Sequence, residues 1–358
     1  MDFNRLKRED LSELKPYHVE AFPHTAKLDA NESPFDLPLE IRQELAEALH
    51  RIPFHRYPDG NSDDLRAQLS QRLGVDKAEI VVGNGSDELI LDFTLAFGRL
   101  DACVSFPTPT FSMYQILAQI ARLTSVGLPL NDAFDLDAAA WQSHLDKHPV
   151  NLIFISYPNN PTGNSFSDDV IHRMLSQRNT LVVLDEAYYE FSGKTFLSER
   201  QRYPNLIVTR TFSKAYGLAG LRTGYMVAHP EIIEDVNKVR LPYNLNRFSQ
   251  LAATTLLKHH QHYATHIQHI QHERARVWEA LKRLEDVEPF PTDANFILFR
   301  TKKPATQVFH GLLKHGVLVR CLDKPGALQN CLRVTIGTAD ENARFLQAVE
   351  QESKRFEP

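Results

Sequence analysis

Lys214 stands in TRTFSKAYGLAGLRTGY, residues 209–225, among hydroxyls and small side chains, and no carboxylate in that stretch can pair with it. A lysine amine attacks carbonyl carbon once it can shed its proton, through loss of water or through nearby positive charge. Arg222 supplies charge, and Thr211 and Ser213 supply hydroxyl donors. Hydroxyls plus an arginine suit a phosphate, and Gly217 and Gly220 let backbone come close. Taken alone, Lys214 reads better as a solvated surface residue.

Four further stretches change that balance. In VVGNGSDELI an apolar strand runs into a glycine-rich turn at Gly85, and a helix is expected to begin at about Ser86. The free N–H groups of Ser86 and Asp87 would offer an anion site, although either residue also reads as a plain N-cap. FPTPTFSMY sets Phe111 and Tyr114 after the next strand, where an aromatic ring can stack on a planar ligand or fill core. YPNNPTG puts Asn160 in a turn at a strand's C-terminal end, where doubly wound sheets bind ligands. VVLDEAYYEF ends an apolar strand on Asp185, a costly place for a carboxylate unless something positive meets it, and Tyr188 follows.

One molecule matches this set: a pyridine aldehyde phosphate. It requires a lysine for the aldehyde (Lys214), a carboxylate for the ring nitrogen (Asp185) and donors for the ring oxygen (Asn160, Tyr188). It also requires a stacking ring (Phe111) and a phosphate cradle (Gly85, Ser86, Asp87, Thr211, Ser213, Arg222).

The elements that must position these residues are legible in outline. EIVVG, DACVSF, NLIFISY, TLVVLDEAY, NLIVTRTF and LRTGYMVAH read as buried strands, most of them separated by helical segments such as SDELILDFTLAFG and SDDVIHRMLSQR. That alternation predicts an α/β fold with a large, doubly wound, mainly parallel sheet. From about residue 246 a long helical stretch precedes ANFILFR, GVLVRCL and CLRVTIG, which predicts a smaller α+β domain. The expected division is an N-terminal arm (1–36) joining the small domain, a large cofactor-binding domain (37–245) and a small C-terminal domain (246–358). His262, His266 and His269 fall at i, i+4 and i+7 on one helix face. With no carboxylate or cysteine at ligand spacing, that face is expected to be solvated and no metal is expected.

The chain has 358 residues, 42% of them apolar, enough for a large core. A net charge of −5 gives no reason to expect a nucleic-acid partner, and no apolar run approaches the roughly 20 residues of a membrane span. Cys103, Cys321 and Cys331 have neither metal-ligand nor redox spacing, which fits reduced thiols in the cytoplasm.

LKPY, LDANESP, RYPDG, GNGSDELI, PTFSMY, PNNPTG, LDEAYYEF, RTFSKAYGLAGLRTGY, PYNLN, ANFI and LRVTIGT together resemble the fold-type I, pyridoxal-phosphate-dependent aminotransferases, most of all their histidinol-phosphate branch. The resemblance implies pyridoxal phosphate on Lys214, an amino donor and a 2-oxoacid acceptor such as 2-oxoglutarate. It implies that Arg333 holds the substrate α-carboxylate, that Arg320 and Tyr17 hold the substrate's far end, and that Asn31 belongs to an arm closing over the site. Tyr57 matches a tyrosine that reaches the cofactor phosphate of a neighbouring subunit, so a homodimer with shared active sites is implied. The chain departs from the pattern at Phe111, where tyrosine is usual, at HVE after LKPY, and at Cys321 and Leu322 after Arg320. Those departures leave open an aromatic amino-acid aminotransferase or a lyase resembling threonine-phosphate decarboxylase. A ligand sensor would need a basic DNA-binding segment, which is not apparent. A dinucleotide oxidoreductase would need a third glycine, which GNGSDE lacks.

Overall fold

A computed structural model of the chain describes residues 1, 3–10, 14, 16 and 22–354. Its strands, in chain order, are β1 (Ala26–Lys27), β2 (Ile80–Gly83), β3 (Cys103–Thr108), β4 (Thr124–Pro129), β5 (Val150–Ser156), β6 (Leu181–Asp185), β7 (Leu206–Thr211), β8 (Gly224–Val227), β9 (Val287–Pro289), β10 (Phe296–Thr301), β11 (Val317–Leu318), β12 (Arg320–Cys321) and β13 (Cys331–Thr335).

The apolar runs form a seven-stranded sheet in the order β2-β8-β7-β6-β5-β3-β4. All pairings are parallel except those of β8, which runs against both β2 and β7. Six strands therefore end on the same edge, and the chain leaves that edge through the segments that carry the candidate residues. Each face of the sheet is covered by apolar packing. Along β6, Val182 and Leu184 join one cluster with Phe191 and Phe212, while Val183 joins the other with Phe93, Tyr114 and Phe154. This two-residue alternation is why β6 reads as a continuous apolar run.

A second, antiparallel sheet has the order β12-β13-β10-β9. The arm strand β1 pairs in parallel with β11. Beyond it, the Leu28 carbonyl accepts from the Thr335 N–H at 2.8 Å, which ties the arm to the end of β13. The helix Arg247–Lys258 packs on the helices Leu39–Leu49 and Asp63–Leu73.

The histidine face differs from the expectation. His262, His266 and His269 lie on the helix Gln261–Lys282, and all three are half-buried rather than solvated. Phe35 of the arm lies across them. Its ring stacks on His266 (centroids 4.3 Å apart, 18° between planes) and meets His269 edge-on at 5.2 Å. His262 reaches Glu40 at 2.9 Å. An apolar ring crossing the helix needs a flat surface to cover it, and imidazoles provide one. No helix among the described residues is long and apolar enough to cross a membrane.

Candidate active site

Lys214 is placed by the loop that leaves β7. The Phe212 N–H bonds the Thr223 carbonyl, the Leu218 N–H bonds the Phe212 carbonyl, and Gly217 closes the turn at φ +67°. A Cβ on Gly217 would stand 3.1 Å from the Phe35 carbonyl, so glycine here lets the arm lie close. The arm then supplies the Ala30 carbonyl, which accepts from Lys214 Nζ at 3.1 Å. Desolvation, followed by the charge of Arg333, brings the Lys214 ammonium down to about 8 from its usual 10.5, with Arg222 pushing the same way. An amine so placed deprotonates readily near neutral pH.

Asp185, at the end of β6, is 4% exposed. Its side-chain donors are hydroxyls, with the Ala187 N–H beside them: Tyr114 Oη gives to Oδ2 at 2.9 Å and Thr209 Oγ1 to Oδ1 at 3.3 Å. Burial raises this carboxyl to about 6, and those two hydrogen bonds hold it back from rising further. A buried acid met by hydroxyls is a receptive partner for a cationic ring N–H.

Tyr188, three residues after Asp185, is buried. Lys214 Nζ stands 5.9 Å from its ring centroid, and its hydroxyl accepts from Asn31 Nδ2 at 3.0 Å. Burial pushes the Tyr188 phenol up to about 12, so it remains a donor. Asn31 is itself fixed: its N–H bonds Thr335 Oγ1 at 2.9 Å and its carbonyl accepts from Asn295 Nδ2 at 3.1 Å.

Asn160 and Arg333 meet directly, Nη1 to Oδ1 at 2.6 Å, and Arg333 Nη2 bonds the Asp29 carbonyl at 2.8 Å. The turn carrying Asn160 is held by fully buried Asn159, whose amide donates to the Pro109 carbonyl and to Thr162, and accepts from Thr110. Arg333 also faces the Phe296 ring at 5.2 Å. Its Cα partner across the β12–β13 ladder is Arg320, which is half-buried.

The candidate anion cradle lies where β2 meets its helix. The helix Ser86–Phe97 starts after Gly85, at φ +90°. A Cβ on Gly224 of β8 would stand 2.4 Å from the Ser86 nitrogen, so only glycine lets β8 run beneath the helix start. Arg222 Nη2 pairs with Asp87 at 3.2 Å, and Thr211 Oγ1 with Ser213 Oγ at 3.0 Å. Phe111 packs edge-on against Tyr114 at 5.6 Å.

The structure thus gathers Lys214, Asp185, Tyr188, Asn160, Arg333, Asn31, Phe111 and the Gly85–Asp87, Thr211, Ser213 and Arg222 cradle around one edge of the sheet. Tyr57 is not gathered: it is 76% exposed and stacks on Tyr243 at 4.5 Å. Tyr17 lies outside the described residues. Two hydroxyls on Asp185 were not assigned that role from sequence. Thr209 sits two residues before Thr211 on β7 and so on the same face, a spacing that could have flagged it. Tyr114 read only as a stacking or core ring.

The donor set fits pyridoxal phosphate: an amine with a lowered pKa, a buried acid with no cationic hydrogen-bond partner among the described residues, and a helix start crowded by glycines. Among the described residues, no group of three or more His, Cys, Asp or Glu side chains could hold a metal ion.

Residues 23–349 match the family model for aminotransferase class I and II. The histidinol-phosphate aminotransferase of Aquifex aeolicus is 41% identical over 345 residues, covering 96% of this chain and 97% of its own. The crystal structure of the Clostridium acetobutylicum histidinol-phosphate aminotransferase superposes with a TM-score of 0.85 at 25% identity, over 92% of this chain and all of that one. The Sinorhizobium meliloti histidinol-phosphate aminotransferase, crystallised with pyridoxal-5'-phosphate, gives 0.84 at 24% identity over 92% of this chain and 91% of that one. The chain belongs to the aminotransferase class I and II family, which depends on pyridoxal phosphate.

Proposed function

We propose that the protein transfers the amino group of histidinol phosphate to 2-oxoglutarate in histidine synthesis. The observation that carries this is the pairing, on segments leaving one edge of the sheet, of Lys214, whose ammonium is brought down to about 8, with Asp185, a buried acid whose hydrogen bonds among the described residues come from hydroxyls and backbone. The near full-length likeness to the Aquifex aeolicus enzyme supports the substrate. Pyridoxal phosphate, when bound, supplies an aldehyde that takes up the amino group and a ring that accepts electrons from the substrate Cα.

The chain's own groups do the rest. Lys214 is the amine that would hold the cofactor aldehyde, and with its lowered pKa it can carry the substrate Cα proton as base and acid. Asp185 holds the proton on the ring nitrogen. Asn160 and Tyr188 would donate to the ring oxygen, and Phe111 would stack on the ring. The N–H groups at Gly85, Ser86 and Asp87, with Thr211, Ser213 and Arg222, hold the phosphate. Arg333, pre-oriented by Asn160, clamps a carboxylate in one half-reaction and the substrate phosphate in the other, with Arg320 and Tyr17 at the substrate's far end and Asn31 in the closing arm.

The same reading makes the protein a cytoplasmic homodimer in which Tyr57 serves the neighbouring site. Free Cys103, Cys321 and Cys331 support the compartment. Exposed Phe54, Tyr57, Leu241 and Tyr243 support the dimer, since isolated chains rarely leave so many large apolar side chains uncovered. The division into an arm (1–36), a large domain (37–245) and a small domain (246–358) belongs to the same proposal.

A half-reaction screen tests the substrate. Histidinol phosphate should convert the cofactor spectrum at far lower concentration than phenylalanine or tyrosine. Preferential conversion by an aromatic amino acid, or carbon dioxide release from phosphothreonine, would overturn the assignment. Lys214→Ala should abolish multiple turnover and covalent attachment of the cofactor.

A further inference from the structure

Tyr114 is fully buried on the helix Met113–Ile120, far from any solvent that could satisfy its hydroxyl. Its ring lies parallel to Phe154, centroids 5.3 Å apart and 14° between planes, and Phe111 meets it edge-on. These two contacts fix the phenol, and its hydroxyl points at Asp185 Oδ2 at 2.9 Å. A phenol can be satisfied in many ways; here it meets a carboxylate that the proposed reaction requires to be an anion. We infer that Tyr114 is a positioning residue, whose hydrogen bond holds the Asp185 carboxylate as an oriented anion for the cofactor ring. The inference rests on the reading of Asp185 as partner of the ring nitrogen.

The physical case has two parts. A hydrogen bond from a neutral donor favours the charged form of an acid, and burial opposes it. Around Asp185, Tyr114 and Thr209 lower its titration, whereas burial and Asp87, on the helix Ser86–Phe97, raise it. Tyr188, which follows β6, is held as a neutral phenol. Tyr114 is the closer of the two hydroxyl donors, so its loss should shift Asp185 most. The same ring touches Phe111, so one side chain contacts both the acid read as the ring-nitrogen partner and the aromatic read as the stacking residue.

Tyr114→Phe tests this, since it keeps the ring and its stacking and removes one oxygen. Cofactor-free wild-type chain, Tyr114→Phe and Asp185→Asn are titrated with pyridoxal phosphate across the pH range from about 5.5 to 8.5, which brackets the Asp185 titration. Tyr114→Phe should bind more weakly. The deficit should grow as pH falls, approaching about tenfold for each unit by which the Asp185 titration moves up. An infrared carboxyl band, assigned by its absence in Asp185→Asn, should titrate at higher pH in Tyr114→Phe than in wild type. A deficit independent of pH, with the band unmoved, would mean that Tyr114 serves packing alone and would overturn the inference. Undiminished affinity in Tyr114→Phe alone would overturn it too. Wild-type affinity in Asp185→Asn would instead overturn the reading of Asp185 itself.

Discussion

Asp185 and Glu186 are neighbours in the chain and both are buried, yet they face opposite ways from the end of β6 and meet opposite surroundings. Glu186 follows the Val182–Leu184 side, where Arg210 of β7 gives it two hydrogen bonds at 3.0 and 2.8 Å. Thr195 Oγ1 and the Phe196 N–H add donors at 2.8 Å, and Arg210 is sandwiched against the Tyr189 ring at 3.5 Å. Every charge in that group is matched inside the fold. Asp185, on the Val183 side, has Tyr114, Thr209 and the Ala187 N–H, but among the described residues no arginine or lysine hydrogen bond. One carboxylate is complete without a ligand; the other has its counter-charge left to be supplied. The difference teaches how to separate structural from functional buried acids, since burial is common to both and the identity of the donor is not.

The largest effect should come from breaking the incomplete side. Asp185→Ala should cut the rate of both half-reactions by about a thousandfold, the scale of losing one preorganised charge at a reacting centre. Stopped-flow conversion of the cofactor spectrum measures it, and the folded fraction should not fall. Breaking the complete side should do the reverse. Glu186→Gln strands Arg210 in an apolar setting and should cost about 3–5 kcal/mol of stability. Denaturant unfolding would show that loss, while turnover per folded molecule changes far less. Equal damage to turnover from both substitutions would dissolve the distinction.

How much of this was readable beforehand depends on which physical rule acts at each position. The parallel sheet was legible because buried β-rich runs alternate with helices, and β6 was among the plainest of them. Asp185 was legible because a carboxylate closing an apolar run demands a reason. Glu186 gave no such signal: its partner Arg210 is on another strand, and sequence spacing carries no information about the β6–β7 register that joins them. Tyr114 was seen as an aromatic, but the direction of its hydroxyl depends on how the helix Met113–Ile120 packs against the sheet. The histidine face failed for a related reason. Helical spacing shows which residues share a face, and only the path of the arm shows that Phe35 covers it.

The comparison can be sharpened through the sign of a stability change. In the cofactor-free chain Asp185 titrates at about 6, whereas an unfolded aspartate titrates near 3.8. Between those values the unfolded chain is ionised and the folded chain keeps its proton, so folding loses stability as pH rises through that window. Above about pH 6 the full penalty is present, up to about 3 kcal/mol for a shift of roughly two units. Asp185→Asn removes the titration. It should therefore stabilise the cofactor-free protein at about pH 8 and give almost no gain at about pH 2.5, where both states are protonated.

Thr195→Val, on the complete side, removes a hydroxyl that donates to Glu186 and accepts from Arg210 Nη2 and the Leu197 N–H, and should destabilise by about 2 kcal/mol, the scale of leaving one such donor unpaired. Glu186 would still hold Arg210 and the Phe196 N–H. Thermal unfolding with and without pyridoxal phosphate separates the two sides. Cofactor should add the same stabilisation to Thr195→Val as to wild type, because the Glu186 group completes itself without it, and should add much less to Asp185→Asn. A loss of cofactor stabilisation in Thr195→Val would mean that the two faces of β6 are coupled through the strand rather than independent, and the donor rule drawn from them would not hold.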